Sequence, residues 1–303
     1  MDINLIVLLG PTASGKTKLA ARLAKDLGAE IISADSRQVY RGMDRGTGKD
    51  LDDYWVAGTL IPYHLIDIVD PAYEFSVFDY QQRFFQCFTE IRSRNILPLL
   101  VGGSGLYIDA VLRGYRMHKV PEDRILRATL EKEDSSLLVK HLLELSPALH
   151  NTTDTLDRQR LIRAIEIARH SREQGGEDFA FPALHPLVVG IRWDRTCLRQ
   201  RITERLAQRL AEGMLEEVKG LHEQGISWEK LDSFGLEYRY LGFYLQGKLG
   251  YQEMFQQLNT RIHQFAKRQE TWFRRMERLG TEIHWLANPD YEELRALVER
   301  ELA

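Results

Sequence analysis

The sequence predicts an α/β fold in which a mainly parallel sheet is flanked by helices, and three observations lead to it. Residues 3–9 form a short, nearly continuous apolar run, as expected for a strand buried on both faces of a parallel sheet. A glycine-rich turn follows directly, and residues 18–27 then place leucines at helical spacing. Later apolar runs alternate with helical patterns, so right-handed crossovers between parallel strands are expected.

Short apolar runs recur later in the chain and predict four further strands, at residues 30–33, 96–101, 187–193 and 282–286. Two stretches near the C-terminus carry helical periodicity instead. Residues 198–221 and 251–279 are therefore predicted as long helices.

Between residues 114 and 186 the strand signal disappears, and leucines and isoleucines recur at helical spacing. The Gly175-Gly176 pair and two later prolines mark the end of this stretch. We therefore predict an all-helical insertion of residues 114–186 within a core built from residues 1–113 and 187–303.

With 303 residues and 44% hydrophobic content, the chain is able to bury a substantial core, which argues against a disordered or fibrous protein. No apolar run approaches the roughly 20 residues that cross a bilayer, and the N-terminal run lacks a basic leader and a cleavage site. Cys87 and Cys197 lie far apart, so neither a disulfide framework nor a zinc site is indicated. We expect a cytoplasmic monomer without membrane attachment.

The net charge of -3 conceals two basic segments. Residues 158–172 hold five arginines against one glutamate, and residues 261–278 hold six Lys or Arg against two glutamates. Clustered cations of this kind neutralise phosphates, but they also form ordinary solvated helix faces. The charge pattern alone does not decide between these two roles.

Residues 10–17 match the phosphate-loop pattern G-x-x-x-x-G-K-[ST], between a predicted strand and a predicted helix. In such a loop the backbone amides surround phosphate oxygens, Lys16 adds a positive charge and Thr17 contacts Mg²⁺. The pattern predicts a P-loop NTPase-like core and a polyphosphate ligand, without saying which polyphosphate. The residues assigned to phosphate binding are Gly10, Pro11, Thr12, Ala13, Ser14, Gly15, Lys16 and Thr17.

Two more strands end in candidate site residues. Asp35 follows the second predicted strand, at the edge where parallel sheets bind ligands. Its carboxylate has three possible roles, namely to hold a metal, to accept a proton, or only to cap a turn. The third strand ends in glycines around Ser104, which permit either close approach of a ligand or a tight turn.

Taken together, the motifs resemble the tRNA dimethylallyltransferases along nearly the whole chain. The segments that carry this resemblance are GPTASGKT at 10–17, DSRQVY at 35–40, HLIDIVDP at 64–71, VGGSGLYI at 101–108, DRQRLIRAIEI at 157–167 and FAKRQETWFRR at 265–275. The resemblance implies transfer of a dimethylallyl group from dimethylallyl diphosphate to the N6 amine of adenosine 37, beside the anticodon. The implied acceptors are tRNAs that read codons beginning with U, bound through the anticodon stem-loop, and diphosphate is released.

The resemblance also implies roles for individual residues. The phosphate loop holds the donor's diphosphate with Mg²⁺, and no nucleotide is hydrolysed. Arg201 and Arg205 lie in a stretch similar to the family's RIxxR, from which an arginine holds the diphosphate; Arg205 is grouped with the catalytic residues and Arg201 with the diphosphate contacts. Asp35 is the general base, and Ser104 is a second catalytic residue. The residues expected at the tRNA are Asp35, Ser36, Arg37, Gln38, Ser104, Gln159, Arg160, Leu161, Ile162 and Arg163.

The chain departs from the family pattern at three places. The usual Gly-Gly-Thr is Gly102-Gly103-Ser104, which keeps a hydroxyl. The usual Gly-Tyr-Lys-Glu is Gly235-Leu236-Glu237-Tyr238, and Gly48-Lys49-Asp50 replaces a lysine-proline pair. The zinc-finger extension of eukaryotic relatives is absent, so the bacterial type is the better match.

Three rival functions remain open from the residues alone. A small-molecule P-loop kinase would use the same loop with ATP, and a closer rival would prenylate free adenine nucleotides. A nucleotide-regulated RNA-binding module would bind RNA without forming a product. The helical insertion with Gln159, Arg160 and Arg163 favours the larger acceptor.

Overall fold

The computed structural model describes residues 3–146, 157–174 and 181–303. The chain divides into two compact units, of which the first joins Met1–Gly114 to Pro182–Ala303 and the second is Tyr115–Phe181. Each unit has its own hydrophobic core. None of the helices among the described residues is both long enough and apolar enough to span a bilayer.

The first unit is built on a six-stranded sheet with every neighbouring pair parallel. In chain order its strands are β1 (Leu5–Leu9), β2 (Glu30–Ala34), β5 (Tyr63–His64), β6 (Pro98–Gly102), β7 (Pro186–Arg192) and β8 (His284–Ala287). Their order across the sheet is β5-β2-β6-β1-β7-β8. A separate antiparallel pair is formed by β3 (Trp55–Val56) and β4 (Thr59–Leu60), just after a 3₁₀ turn at Leu51–Tyr54.

Every residue of β1, β2 and β6 is buried, which is why these strands read as continuous apolar runs in the sequence. The predicted α/β class and all five predicted strands are confirmed, with bounds shifted by up to two residues. The β5 strand and the β3–β4 pair went unpredicted because two-residue strands carry no periodicity.

Helices flank the sheet and extend beyond its carboxyl edge. In the first unit they are α1 (Lys16–Leu27), α2 (Val77–Ser93), α3 (Gly105–Leu112), α7 (Arg195–Ala211), α8 (Met214–Glu223), α9 (Trp228–Ser233), α10 (Leu236–Leu245), α11 (Tyr251–Arg278) and α12 (Tyr291–Leu302). A second apolar cluster joins α7, α8, α10 and α11. This helical layer brings α7, α10 and α11 beside the phosphate loop.

The prediction of one long helix over residues 198–221 is wrong. The helix ends at Ala211 and a new one begins at Met214. Gly213 lies between them with φ +100, a left-handed conformation that interrupts a right-handed helix at little cost for glycine. The prediction over residues 251–279 is confirmed almost to its ends by α11.

The described part of the second unit consists of α4 (Arg124–Leu130), α5 (Ser135–Leu145) and α6 (Arg158–Gln174). Its core comprises Leu130, Leu138, Leu142, Leu161, Ile162 and Ile165. In these three segments the helical periodicity of the sequence is confirmed. The Gly175-Gly176 pair, taken as the end of the insertion, lies outside the described residues.

Candidate active site

The phosphate loop connects β1 to α1 and is held in a tight, partly left-handed path. Ala13 has φ 61 and Gly15 has φ 84. The Ser14 amide donates to the Pro11 carbonyl at 3.3 Å, and Lys16 Nζ donates to the same oxygen at 3.3 Å. A Cβ at Gly10 would lie only 2.9 Å from Ser14 Oγ, so glycine is needed where the loop leaves the strand.

Two side chains from the β7–α7 junction hold carbonyls of the loop. Arg201 Nε donates to the Ala13 carbonyl at 2.9 Å, and Trp193 Nε1 donates to the Ser14 carbonyl at 3.0 Å. The Arg201 guanidinium also stacks on the Trp193 ring, 4.5 Å from its centroid. Arg201 therefore supports the loop directly, beside the place where a phosphate would bind.

Lys16 lies in a desolvated environment with charges of both signs around it. Burial, followed by the neighbouring Arg205 charge, lowers the pKa of Lys16 to about 8, although Asp35 and Asp50 act in the opposite direction. A cation that is desolvated and crowded by an arginine gains from an anionic ligand. The electrostatics thus favour phosphate binding at this loop.

Asp35, Ser36 and Ser104 are brought together where β2 and β6 end side by side. Asp35 Oδ1 accepts a hydrogen bond from the Arg37 amide at 2.9 Å, so the carboxylate does cap the turn after β2. Ser104 Oγ accepts one from the Ser36 amide at 3.1 Å. A Cβ at Gly102 would collide with the Ala34 carbonyl, which explains the glycine at the end of β6.

Gln38 is turned toward the protein interior. Its Oε1 accepts from Ser33 Oγ at 3.1 Å, and its Nε2 donates to the Gly48 carbonyl at 2.9 Å. Lys49 is 1% exposed and donates to the Tyr40 carbonyl at 2.8 Å and to Asp44 Oδ1 at 2.6 Å. These contacts fix the segment after Asp35.

Arg205 projects from α7 toward the same region. Its Nη2 forms an ion pair with Asp50 Oδ2. Arg205 also lines a pocket whose other walls come from the phosphate loop, α7, α8, α10 and α11. The pocket residues are Thr12, Ala13, Ile202, Arg205, Leu206, Arg209, Met214, Glu237 and Ile262. A ligand on the phosphate loop therefore has both apolar and cationic groups within reach.

Gln269 joins the two halves of the site and was not foreseen. Its Oε1 accepts a hydrogen bond from the Thr12 amide at 2.9 Å, and its Nε2 donates to the Gly103 carbonyl at 2.9 Å. A Cβ at Gly103 would collide with Nε2. In the sequence, Gln269 interrupts an apolar stripe that includes Ala266 and Phe273, and a polar residue in a buried stripe was the available signal.

The residues present fit a divalent metal ion held together with a substrate. Among the described ranges, no group of three or more His, Cys, Asp or Glu side chains is arranged to hold a metal. Mg²⁺ usually binds through one or two side chains plus substrate phosphates, and so it needs no such cluster. Thr17, half-buried in the first turn of α1, offers a hydroxyl beside the loop.

The predicted tRNA segment lies in the second unit, on α6. Gln159 and Arg160 are exposed, whereas Leu161 and Ile162 are each 1% exposed and pack in the core of that unit. Arg163 donates to the Val120 carbonyl at 2.8 Å and pairs with a buried carboxylate on its own helix.

That carboxylate is Glu166, which is 2% exposed and binds two arginines. Arg127 Nη2 lies 2.9 Å from Glu166 Oε2, and Arg163 Nη1 pairs with the same oxygen. Burial acts to raise the pKa of Glu166, but hydrogen bonds from Arg127, the Asp123 amide and Arg163 outweigh it and hold the pKa below its usual value. Arg163 is thus partly committed to the internal structure of this unit.

Two family models match the chain. The model described as IPP transferase covers residues 38–276, and the model described as isopentenyl transferase covers residues 1–59. The chain is 61% identical over 293 residues to tRNA dimethylallyltransferase 1 of Syntrophus aciditrophicus, covering 96% of each chain. It is 58% identical over 283 residues to tRNA dimethylallyltransferase 2 of Pelobacter propionicus, covering 93% of this chain and 89% of the relative.

Solved structures give the same result for the fold. The tRNA isopentenylpyrophosphate transferase of Bacillus halodurans aligns with a TM-score of 0.70 at 33% identity, covering 99% of this chain and 96% of that one. A eukaryotic dimethylallyltransferase acting on tRNA aligns with a TM-score of 0.74 at 22% identity, covering 94% and 74%, which shows the fold alone. The family predicted from the motifs is confirmed, and the chain belongs to the IPP transferase family of tRNA dimethylallyltransferases.

Proposed function

We propose that the chain transfers a dimethylallyl group from dimethylallyl diphosphate to the N6 amine of adenosine 37 in tRNAs that read codons beginning with U. Membership of the family supports prenyl transfer to tRNA. The observation that carries the residue assignments is the order of strands at the sheet edge. Asp35 follows β2, Ser104 follows β6 and the phosphate loop follows β1, and these three strands are neighbours.

This order sets a useful distance. Two interstrand spacings separate β2 from β1, which is roughly 10 Å. A diphosphate on the loop and a five-carbon chain together span about that length, so the allylic carbon would lie between the loop and Asp35. An acceptor base entering from the side of β2 and β6 would meet it there. A base in an anticodon loop must leave its stack to reach this position.

At the allylic carbon the reaction forms one bond and breaks one, and a proton passes from nitrogen to a base. The N6 nitrogen attacks C1 of the dimethylallyl group while the C1–O bond to diphosphate breaks, and the nitrogen then loses a proton. Asp35 accepts that proton, because an adenine amine is a poor nucleophile that becomes acidic as the new bond forms. Ser104 and Ser36 hold the turn that carries Asp35. No covalent enzyme intermediate is needed.

The leaving diphosphate gains negative charge as the bond breaks. Loop amides, Lys16 and Arg205 stabilise that charge, and Arg201 keeps the loop in shape through the Ala13 carbonyl. When bound, Mg²⁺ supplies further charge neutralisation on the diphosphate, and Thr17 is the side chain that would hold it.

The helical unit carries further candidate tRNA contacts of its own. Gln159 and Arg160 are exposed on α6 and available to the anticodon stem-loop. Leu161 and Ile162 hold the helix in place by packing in the core, and the Arg163 side chain, which is 38% exposed, contributes through its exposed part. The boundaries 114–186 of the insertion, a monomeric state and a cytoplasmic location are part of this proposal.

One incubation separates the rival functions. Purified protein is mixed with labelled dimethylallyl diphosphate, Mg²⁺ and unmodified tRNA, and label should appear in tRNA with an equivalent of diphosphate. Replacing adenosine 37 by guanosine should abolish labelling, and free adenosine monophosphate should not be an acceptor. Phosphate release from ATP that depends on tRNA or a nucleoside would favour a kinase, and tRNA binding without label transfer would favour a non-catalytic module.

A further inference from the structure

The two longer departures from the family pattern both lie beside the side chain of Arg209. Gly48 and Asp50 belong to the first departure and Glu237 to the second, nearly 190 residues later. Gly48 has φ +65, and a Cβ there would collide with the guanidinium of Arg209. The guanidinium therefore occupies the space that a Cβ at position 48 would need, and glycine is required for it to fit.

Arg209 is a largely buried cation with two hydrogen-bond donors that are not used. Its side chain is 12% exposed, and its Nε and Nη2 atoms find no hydrogen-bond partner among the described residues. Burial and then the neighbouring Arg205 lower the pKa of Arg209 to about 10. Unsatisfied buried donors are rare in proteins and call for an explanation, such as a partner that forms only in another state.

One carboxylate oxygen lies between two arginines. Asp50 Oδ2 is paired closely with Arg205 Nη2, while Arg209 Nη2 lies 3.6 Å from the same oxygen, within the range of an ion pair but too far for a hydrogen bond. Burial acts to raise the pKa of Asp50, but the charges of Arg205 and Arg209 outweigh it and lower the pKa. Asp50 is therefore ionised, and Arg205 holds it in this state.

The pocket has more cations than anions. Arg205 and Arg209 line it together with one carboxylate, that of Glu237, and burial raises the pKa of Glu237. Thr12 and Ala13 of the phosphate loop line the same pocket as the two arginines. A diphosphate on the loop would thus compete with Asp50 for Arg205.

We propose that Asp50 acts as an exchangeable counter-ion, paired with Arg205 in the free enzyme and passed to Arg209 when the diphosphate of the donor takes Arg205. Arg209 Nη2 needs to move less than 1 Å closer to Asp50 Oδ2 to donate a hydrogen bond, and this bond would satisfy Nη2. The carboxylate then keeps a partner in both states, and Arg205 is freed without leaving an unpaired charge in a partly buried place. This proposal rests on the proposed function, because it assumes that the phosphate loop binds the donor's diphosphate.

This exchange of ion-pair partners, called the hand-over below, predicts that substitutions of Asp50 and of Arg209 change diphosphate affinity in opposite directions. Asp50→Asn removes the competitor, so inorganic diphosphate with Mg²⁺ should bind about threefold to tenfold more tightly by titration calorimetry. Arg209→Met removes the second partner, so diphosphate binding should weaken about tenfold. Asp52→Asn makes the same charge change on an exposed neighbour and should leave the dissociation constant within about twofold.

A double-mutant cycle separates the hand-over from direct contact. Arg209→Met should raise the dissociation constant of diphosphate by a smaller factor in the Asp50→Asn background than in the wild type. The two factors should differ at least about fivefold, because without Asp50 no carboxylate needs a new partner. Equal effects in both backgrounds, within about twofold, would mean that Arg209 contacts diphosphate itself and would overturn the proposal. So would unchanged or weaker binding by Asp50→Asn alone, a test that holds even if the Arg209 variant does not fold.

The result is distinguishable from failure of the proposed function. If the phosphate loop does not bind diphosphate, the wild-type protein gives either no binding heat with diphosphate or a binding heat that Lys16→Ala leaves unchanged. If the loop binds diphosphate and only the hand-over is wrong, that signal is present and Asp50→Asn does not strengthen it.

Discussion

Gln269 Oε1 accepts a hydrogen bond from the Thr12 amide at 2.9 Å, so the middle of the long helix α11 fixes the phosphate loop at its third residue. The other end of the same amide donates to the Gly103 carbonyl at 2.9 Å, next to Ser104. A single buried side chain therefore sets the spacing between the loop that would hold the donor and the turn that carries the proposed catalytic residues.

Gln269→Leu should raise the KM for dimethylallyl diphosphate and lower kcat, since both ends of this link are lost and two backbone groups, one buried and one partly buried, lose their partner. The loss should be about 1 to 3 kcal/mol in the free energy of unfolding, measured by urea denaturation. Gln269→Glu keeps the acceptor for Thr12 but adds a negative charge beside the donor, so its defect should fall mainly on KM. Equal kinetics in the two variants would contradict a positioning role.

The pH dependence of donor use should report Lys16. Its pKa is lowered to about 8, so the amine is protonated below that pH and loses its charge above it. Binding of an anionic donor should therefore be strongest below pH 8, and kcat/KM for the donor should fall as pH rises through that value. Lys16→Arg keeps its charge across this range and should shift the decline to higher pH. An unshifted decline would show that another group titrates.

Loss of the loop side chains should damage donor use and spare tRNA binding. Lys16→Ala and Thr17→Ala each remove a group expected at the diphosphate or its metal, and turnover at low donor concentration should fall by at least about 10². Filter binding of tRNA should stay within about twofold. Normal donor affinity in both variants would remove the assignment of this loop to the diphosphate.

The arginines of α6 should divide into two kinds. Arg160 is exposed, so Arg160→Ala should weaken tRNA binding and reduce the slope of log affinity against log salt by about 0.7 to 0.9. Arg163→Ala should also lower thermal stability, because the buried Glu166 loses one of its two arginine partners. Lys219→Ala, on the exposed face of α8, is the control and should change neither property. An unchanged salt slope in Arg160→Ala would make this residue a solvated surface group.

The sequence was most informative where a structural position tolerates only one type of residue. Strands buried on both faces are almost forced to be apolar, so β1, β2 and β6 were readable, and the phosphate loop carries a fixed pattern. Gln269 was missed because its two partners, Thr12 and Gly103, are more than 160 residues away in the chain. No local periodicity contains that information.

The motif that contains residues 159–163 shows a different limit. Resemblance assigns all five residues to tRNA contact, but burial depends on which face of the helix meets the core. Leu161 and Ile162 face the core and Gln159 and Arg160 face solvent. Gly48, Asp50 and Glu237 could be noticed in the sequence as departures from the family pattern, but the sequence does not show that they are neighbours of Arg209. That relationship exists only in three dimensions.

Asp35 offers the sharpest test of mechanism. The structure shows that it caps a turn, and kinetic measurements distinguish whether it also accepts a proton or holds a metal. Its Oδ1 accepts a hydrogen bond from the Arg37 amide at 2.9 Å, so the carboxylate caps a turn whether or not it also accepts a proton. Asp35→Asn keeps an oxygen for that cap and removes only the basicity. Turnover should therefore fall by about 10² to 10⁴, the usual scale for loss of a positioned base, with the melting temperature nearly unchanged.

Asp35→Ala is the matched variant, because it removes the cap as well as the base. It should show the same kinetic defect together with a loss of about 1 kcal/mol in the free energy of unfolding. If Asp35 chiefly holds Mg²⁺, Asp35→Asn should instead weaken metal-dependent donor binding, and excess Mg²⁺ should restore part of the rate. Single-turnover rates, donor affinity across a Mg²⁺ titration and melting curves on both variants separate these outcomes. Near-normal single-turnover chemistry in Asp35→Asn would leave the carboxylate as a turn cap and require another group to take the proton.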